Sequence, residues 1–202
     1  MPTMDTHLTR EAWLTRAVDA LRAKFVDAGY PLPSVIHVSI GFASRGALRG
    51  KRGVTMGQCW GCAEGCAESA DKAPHIFLSP LHTTAVAVLD TLVHELAHAA
   101  APKGAKHGAK FVRVCKAVGL TVGPPTSQKA GPELIAELER LNAELGAWPH
   151  ATLDARALPK AGGTRLLKVM CPDDGYTVRV TRTWLDMLGA PVCPCGTTMD
   201  EA

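Results

Sequence analysis

His94-Glu95-Leu96-Ala97-His98, preceded by Val86-Ala87-Val88-Leu89-Asp90-Thr91-Leu92-Val93, is the stretch around which the chain organises. Leu89, Leu92, Val93 and Leu96 recur at three- and four-residue spacing, and no Gly or Pro interrupts between Thr83 and Ala101. That pattern predicts a helix which Pro102 stops. Two histidines four apart on a helix project from one face, one turn apart, so two imidazoles can reach one zinc ion. Glu95 stands beside the first, where a carboxylate can take a proton from an attacking water. Catalytic zinc usually takes three protein ligands and keeps a fourth position open. His107 is the candidate third. It follows the loop Pro102-Lys103-Gly104-Ala105-Lys106 and opens a second apolar repeat, Phe111, Val114, Cys115 and Val118. A helix, a short glycine-containing loop and a returning helix can bring His107 back to the ion. The metzincin spacing, with Gly and His soon after the second histidine, is absent. Each part alone has an ordinary reading: a chance pattern, or a helix-start histidine satisfied by water. Together they point to His94, His98 and His107 as metal ligands and Glu95 as the catalytic base.

Working outward, Leu14, Val18, Leu21 and Phe25 make the apolar stripe of a first helix from about Thr9 to Ala28, ended by Gly29 and Pro31. Ser34 to Phe42 alternates as a strand, with His37 read as a solvent-facing residue rather than a ligand. Arg45 to Gly53 reads as a basic hairpin or loop, followed by strands at about Val54 to Trp60 and His75 to Leu78. After the His107 helix, Gly123-Pro124-Pro125-Thr126-Ser127 marks a boundary, and Pro132 starts a helix through about Leu145. Its apolar side is Leu134, Leu138, Leu141 and Leu145; its acidic side reads as a solvated face.

The run Thr91 to His98, followed by His107-Gly108 and Phe111, resembles the SprT-like metalloproteases, which include the Spartan enzymes that cut proteins crosslinked to DNA. Ile76-Phe77-Leu78-Ser79-Pro80 is similar to the strand leading into the active-site helix of bacterial and phage members, and Gly57-Gln58-Cys59-Trp60 to the strand before it. Trp148-Pro149-His150 and the run from Arg165 to Met199 match the longer members, which carry a zinc ribbon. The similarity covers most of the chain from about Val35. It implies an α+β, zincin-like SprT domain with a small three-stranded sheet packed against helices, plus a short C-terminal β-rich, zinc-ribbon-like module. The expected division is 1–123 for the protease domain, 124–160 for a linker with one helix, and 161–202 for the ribbon. It also implies a zinc-dependent endopeptidase with one catalytic Zn2+, acting on DNA-bound or DNA-crosslinked protein, in the cytoplasm of a bacterium or a phage-infected host.

Seven cysteines, an odd number, read as metal ligands and free thiols in a reducing compartment rather than as a disulfide framework. Leu166 to Cys171 and Tyr176 to Thr181 alternate like a hairpin around Pro172-Asp173-Asp174-Gly175. Cys171-Pro172 and Cys193-Pro194-Cys195-Gly196 look like two zinc knuckles. Asp174 stands where the family has its second cysteine, and the second knuckle is one residue tight. Cys171, Cys193 and Cys195 with Asp174 are therefore candidates for a second, structural zinc. The alternative is a metal-free ribbon held by Leu167, Val169, Val178, Trp184 and Leu188. Cys59, Cys62 and Cys66 lie close in sequence, with His75 as an imaginable fourth ligand, but no spacing specifies that fourth. They read as incidental thiols in a loop.

A hydrophobic content of 47% describes a chain able to fill one sizeable core, and no run of about 18 apolar residues exists for a membrane span. The start, Met1-Pro2-Thr3-Met4-Asp5, predicts no secretion signal. A net charge of +3 is too small to argue for nucleic acid, but its distribution says more. Arg45, Arg49, Lys51 and Arg52 lie in one stretch without an acidic residue, and Lys103, Lys106, Lys110, Arg113, Lys116 and Lys129 in another. The second surrounds His107 and reads either as a phosphate-binding face beside the metal or as an ordinary solvated helix face; the resemblance implies DNA, preferentially single-stranded, as the partner. The ribbon carries four basic and five acidic residues from Ala161 to Ala202, which leaves Arg179, Arg182 and Trp184 as local contacts only. Two rivals are a metallopeptidase without a DNA role and a non-enzymatic zinc-containing adaptor for nucleic acid. Glu95 speaks against the second, because a structural site does not require a carboxylate there.

Overall fold

The computed structural model describes residues 9–48, 54–154 and 166–202. The basic residues Arg49, Lys51 and Arg52 and the start of the ribbon at Arg165 lie outside them. The fold is mixed α and β, and the chain divides into two compact units, Met1–Arg156 and Ala157–Ala202. No helix among the described residues is long and apolar enough to cross a membrane.

In the first unit, α1 (Arg10–Asp27) starts at Thr9, whose hydroxyl accepts the Ala12 amide at 3.1 Å. Three strands follow, β1 (His37–Ile40), β2 (Gly57–Trp60) and β3 (His75–Leu78). They form a sheet in the order β1-β3-β2, with β1 parallel and β2 antiparallel to β3. The expected first two strands are shorter than their alternation suggested. They are also not neighbours, because β3 lies between them. The alternation could not show this, because β3, the partner of both, comes later in the chain. Ile76 and Leu78 turn inward onto α2 (Ala85–Ala100), which Thr84 caps by accepting the Ala87 amide. Along α2 nearly every residue from Val88 to Ala100 is buried, so it is the central element, packed by α1, the sheet, α3 (Ala109–Ala117) and α4 (Pro132–Leu145).

Two features differ from the sequence reading. The segment 124–160, expected as a linker, falls mostly within the first unit: Leu134, Leu138, Leu141 and Leu145 of α4 belong to the same buried cluster as α2. Four leucines on one face of a helix need a partner, and the core supplies it. The chain then returns past α1, where the Trp148 ring meets Trp13 edge-on at 4.7 Å and His150 lies 3.0 Å from the Pro80 carbonyl. Second, the Gly-Pro-Pro stretch is not a domain boundary. It joins two very short strands, β4 (Leu120–Val122) and β5 (Lys129–Ala130), which pair antiparallel.

The second unit is a three-stranded antiparallel sheet in the order β7-β6-β8, from β6 (Leu166–Met170), β7 (Thr177–Thr181) and β8 (Asp200–Glu201). A seven-residue helix, α5 (Arg182–Leu188), follows β7; Thr181 caps it and Gly189 at φ 79° ends it. The buried centre is small: Val169, Cys171, Cys193 and Met199.

Candidate metal centre

α2 presents His94, Glu95 and His98 along one side, and the loop after it returns His107 to the same place. The ligating atoms of the three histidines lie within 4.8 Å of one another. The return depends on a tight loop. The Ala105 amide donates to Pro102 O at 3.0 Å, the Gly108 amide to Ala105 O at 2.9 Å, and Lys106 adopts a left-handed φ of 46°. Gly108 then begins α3, and Phe111, fully buried, sits under all three imidazoles. Its ring stacks on His98 at 4.0 Å and meets His94 and His107 edge-on, each at 5.2 Å. The sequence marked Phe111 as an apolar position; its use as the floor of the histidine cluster is a tertiary fact.

The donor set fits a metal ion. His98 Nε2 and His107 Nε2 are 3.2 Å apart. Two nitrogens on one tetrahedral ion with bonds near 2.05 Å are separated by about 3.3 Å, so this spacing is that of two ligands. His94 is oriented from behind: its Nδ1 is 3.1 Å from the Gln128 carbonyl. A carbonyl only accepts, so Nδ1 carries the proton and the Nε2 lone pair is left for an ion. Burial lowers the pKa of all three histidines, His98 to about 3 with further lowering from His94 and His107. Neutral imidazole is the form that binds metal. No feature of the sequence pointed to Gln128. It comes from the β4–β5 hairpin, which Asp90, one turn before His94, also holds. Asp90 Oδ1 accepts the Ala130 amide at 2.8 Å and Oδ2 lies 3.2 Å from Lys129 Nζ.

Glu95 is only 5% exposed. Burial raises its pKa to about 8, against a smaller lowering by the nearby Cys59 backbone. A cation beside it would favour the charged form. Gly57, the first residue of β2, lies directly against it. A Cβ placed there would be 2.5 Å from Glu95 Oε1 and 2.7 Å from Thr91 Cγ2, so only glycine leaves the carboxylate its position. Around these groups runs a cleft of about 610 Å³, lined by Gly61, Cys62, Pro102 and Lys106 besides the site residues. A second hollow of about 470 Å³ adjoins it, sharing Thr55, Gly57, His94, Glu95 and Thr126 and reaching to Gln128 and Lys129.

In the second unit the structure brings together Cys171, Asp174, Cys193 and Cys195, again with ligating atoms within 4.8 Å. Cys171 Sγ is 3.5 Å from Cys195 Sγ, and Cys193 Sγ is 3.3 Å from Asp174 Oδ2. The Tyr176 amide, donating to Asp174 at 2.9 Å, is the first cause that holds this carboxyl below its usual range. Three thiols and a carboxylate suit a metal ion. The thiols of Cys59, Cys62 and Cys66 form no such group among the described residues. Cys59 packs against the core, and Cys62 lies in a turn where its Sγ is 3.4 Å from Gly65 O. His150 is likewise no ligand of the cluster: Arg10 and the Pro80 carbonyl take its two nitrogens. Lys103, Lys106, Lys110, Arg113 and Lys116 are all exposed around His107 and along α3, while Lys129 is drawn to Asp90. No protein-family model, curated protein or solved structure matches this chain.

Proposed function

We propose that this chain is a zinc-dependent endopeptidase of SprT-like type that acts on protein bound or crosslinked to DNA. The observation that carries the reading is a buried carboxylate, Glu95, beside three neutral imidazoles that converge in an open cleft. His94, His98 and His107 would hold the ion, with His94 aimed by Gln128. When bound, zinc supplies Lewis acidity toward water and the scissile carbonyl. Glu95 takes the proton of the attacking water and passes it to the leaving amine. Burial, which favours the neutral carboxyl, and a neighbouring cation, which favours the carboxylate, act on it in opposite directions. Gly57 leaves the room in which that carboxylate sits. β2 pairs only with β3 among the described residues, so its other edge borders the cleft and can take an extended peptide as an added strand. In this reading the first unit is a zincin-like SprT domain. The second is a degenerate ribbon in which Asp174 replaces a cysteine around a structural zinc. The exposed lysines and arginine by His107 support DNA as the recruiting partner.

The test separates binding from chemistry. Glu95→Gln keeps the side chain's size and removes the base, so the variant should retain its zinc while hydrolysis of an unfolded protein falls by at least 10²-fold. Full activity in Glu95→Gln would remove this residue, and with it the mechanism.

A further inference from the structure

Apart from the His94 cluster and the thiol cluster, one more set of metal-binding side chains converges among the described residues. His37, Asp71 and His75 place their ligating atoms within 4.8 Å of one another. The sheet topology produces this. β1 and β3 are parallel neighbours with His37 in register with His75, so the two imidazoles leave the sheet side by side, ring centres 4.5 Å apart. Val38 and Ile76, which alternate with them, are buried, so both histidines stand on the outer face. Asp71 is delivered by the turn before β3. That turn is closed by the Cys66 amide donating to Lys72 O at 2.8 Å and the Lys72 amide to Ser69 O at 3.2 Å, with Lys72 at a left-handed φ of 62°. The Asp71 carboxylate accepts from Ser69 Oγ at 2.6 Å, from His37 Nε2 at 2.6 Å and from the Ala73 amide at 3.0 Å. Ser69 Oγ also lies 3.0 Å from His75 Nε2, so one hydroxyl joins the acid to the second imidazole.

We propose that His37, Asp71 and His75 form a further binding site for a borderline transition-metal ion such as Zn2+, separate from the peptidase centre. Two imidazoles and one carboxylate are a donor set that such ions prefer over Ca2+ or Mg2+. The present 2.6 Å contact between His37 and Asp71 is a hydrogen bond, closer than the about 3.3 Å between two ligands of one ion. Both side chains are about half exposed, so the His37 ring can turn away from Asp71, which Ser69 and the Ala73 amide hold in place, and open the place between them. On binding, His37 and His75 each turn an unprotonated ring nitrogen to the ion, and the proton that His37 now directs at Asp71 passes to its Nδ1 or to solvent. The ion would fasten β1 and β3 to the turn at residues 66–73. The chain just before that turn carries Gly61 and Cys62 into the cleft wall, and the Ala63 amide donates to Ala101 O at 2.9 Å at the end of α2. Occupancy would therefore stiffen one side of the cleft without touching His94, Glu95, His98 or His107.

Equilibrium dialysis of the full chain against Zn2+, with metal counted per chain, tests this. His37→Gln and His75→Gln should each bind one ion fewer than the unchanged protein. Asp71→Asn should weaken that ion at least tenfold. His98→Ala should instead lose a different ion, so failure here is distinguishable from failure of the peptidase reading. NMR of the unchanged protein gives a readout that no misfolded variant can obscure: the ring resonances of His37 and His75 should shift together on Zn2+ addition. Equal metal counts in the unchanged and His37 and His75 variants, or unmoved His37 and His75 resonances, would overturn the site and leave an ordinary hydrogen-bonded surface cluster.

Discussion

At the scale of single residues, Gly57 is as informative as the histidines. Its backbone is not in the left-handed region, so glycine is not there for conformational reasons. It is there for space, because a methyl group would sit 2.5 Å from Glu95 Oε1 and 2.9 Å from Glu95 Cγ. Gly57→Ala should therefore push the carboxyl aside while leaving the imidazoles alone. Displacing a reacting group by roughly an ångström costs about 10²-fold in rate. The expected outcome is a fall of that order in kcat with unchanged zinc per chain, measured on one preparation. A fully active Gly57→Ala would mean that Glu95 relaxes around the methyl group and needs no such packing.

At the scale of elements, the site depends on how a short hairpin is clamped to a long helix. β4 and β5 together have five residues, too few to be stable alone, and they hold through α2. Asp90 takes the amide of Ala130, which is buried, and Gln128 two residues earlier orients His94. Asp90→Ala leaves that amide without its acceptor. Such a loss costs about 1–3 kcal/mol, and it frees the carbonyl that aims His94. Removing an outer partner of a metal ligand typically lowers metal affinity 10–100-fold. Denaturant unfolding and a competitive zinc titration should both move for Asp90→Ala. A loss of stability with unchanged zinc affinity would show that the hairpin supports the fold but not the ligand.

At the scale of the whole molecule, if the first unit is a peptidase, something must bring substrate to its cleft. Lys103, Lys106, Lys110, Arg113 and Lys116 are exposed in a stretch without an acidic residue, around the loop that carries His107. If they contact phosphates, binding to single-stranded DNA should weaken steeply as salt rises, because counterions are released. Reversing charge at Lys106 and Lys110 should lower the slope of log K against log salt by about 2 and leave the zinc in place. Fluorescence anisotropy over a salt series, with zinc analysis of the same samples, provides the check. No binding even at low salt would favour a metallopeptidase indifferent to DNA.

Helices α1 to α4 were readable from the chain alone because their signals are local, whereas the seven-residue α5 was not read. Leu89, Leu92, Val93 and Leu96 set the period of α2, Thr9 caps α1, and Pro132 opens α4; β3 emerged at its expected bounds. The spacing of His94, Glu95 and His98 needs only one helix to put them on one side, and a loop of few residues limits where His107 can go. Other features depend on contacts between distant segments, which no window of sequence contains. β3 lies between β1 and β2 although it follows both. The leucine face of α4 found its partner on α2 rather than in a separate linker. The Gly-Pro-Pro stretch joins a hairpin whose Ala130 amide is accepted by Asp90, forty residues away. The roles of Gln128 behind His94, of Gly57 beneath Glu95, and of Asp71 between His37 and His75 arise the same way. The local code marked the helices of the first unit and grouped the candidate metal-site residues; tertiary packing decided what surrounds them, since burial and hydrogen bonding are satisfied only between segments the sequence keeps far apart.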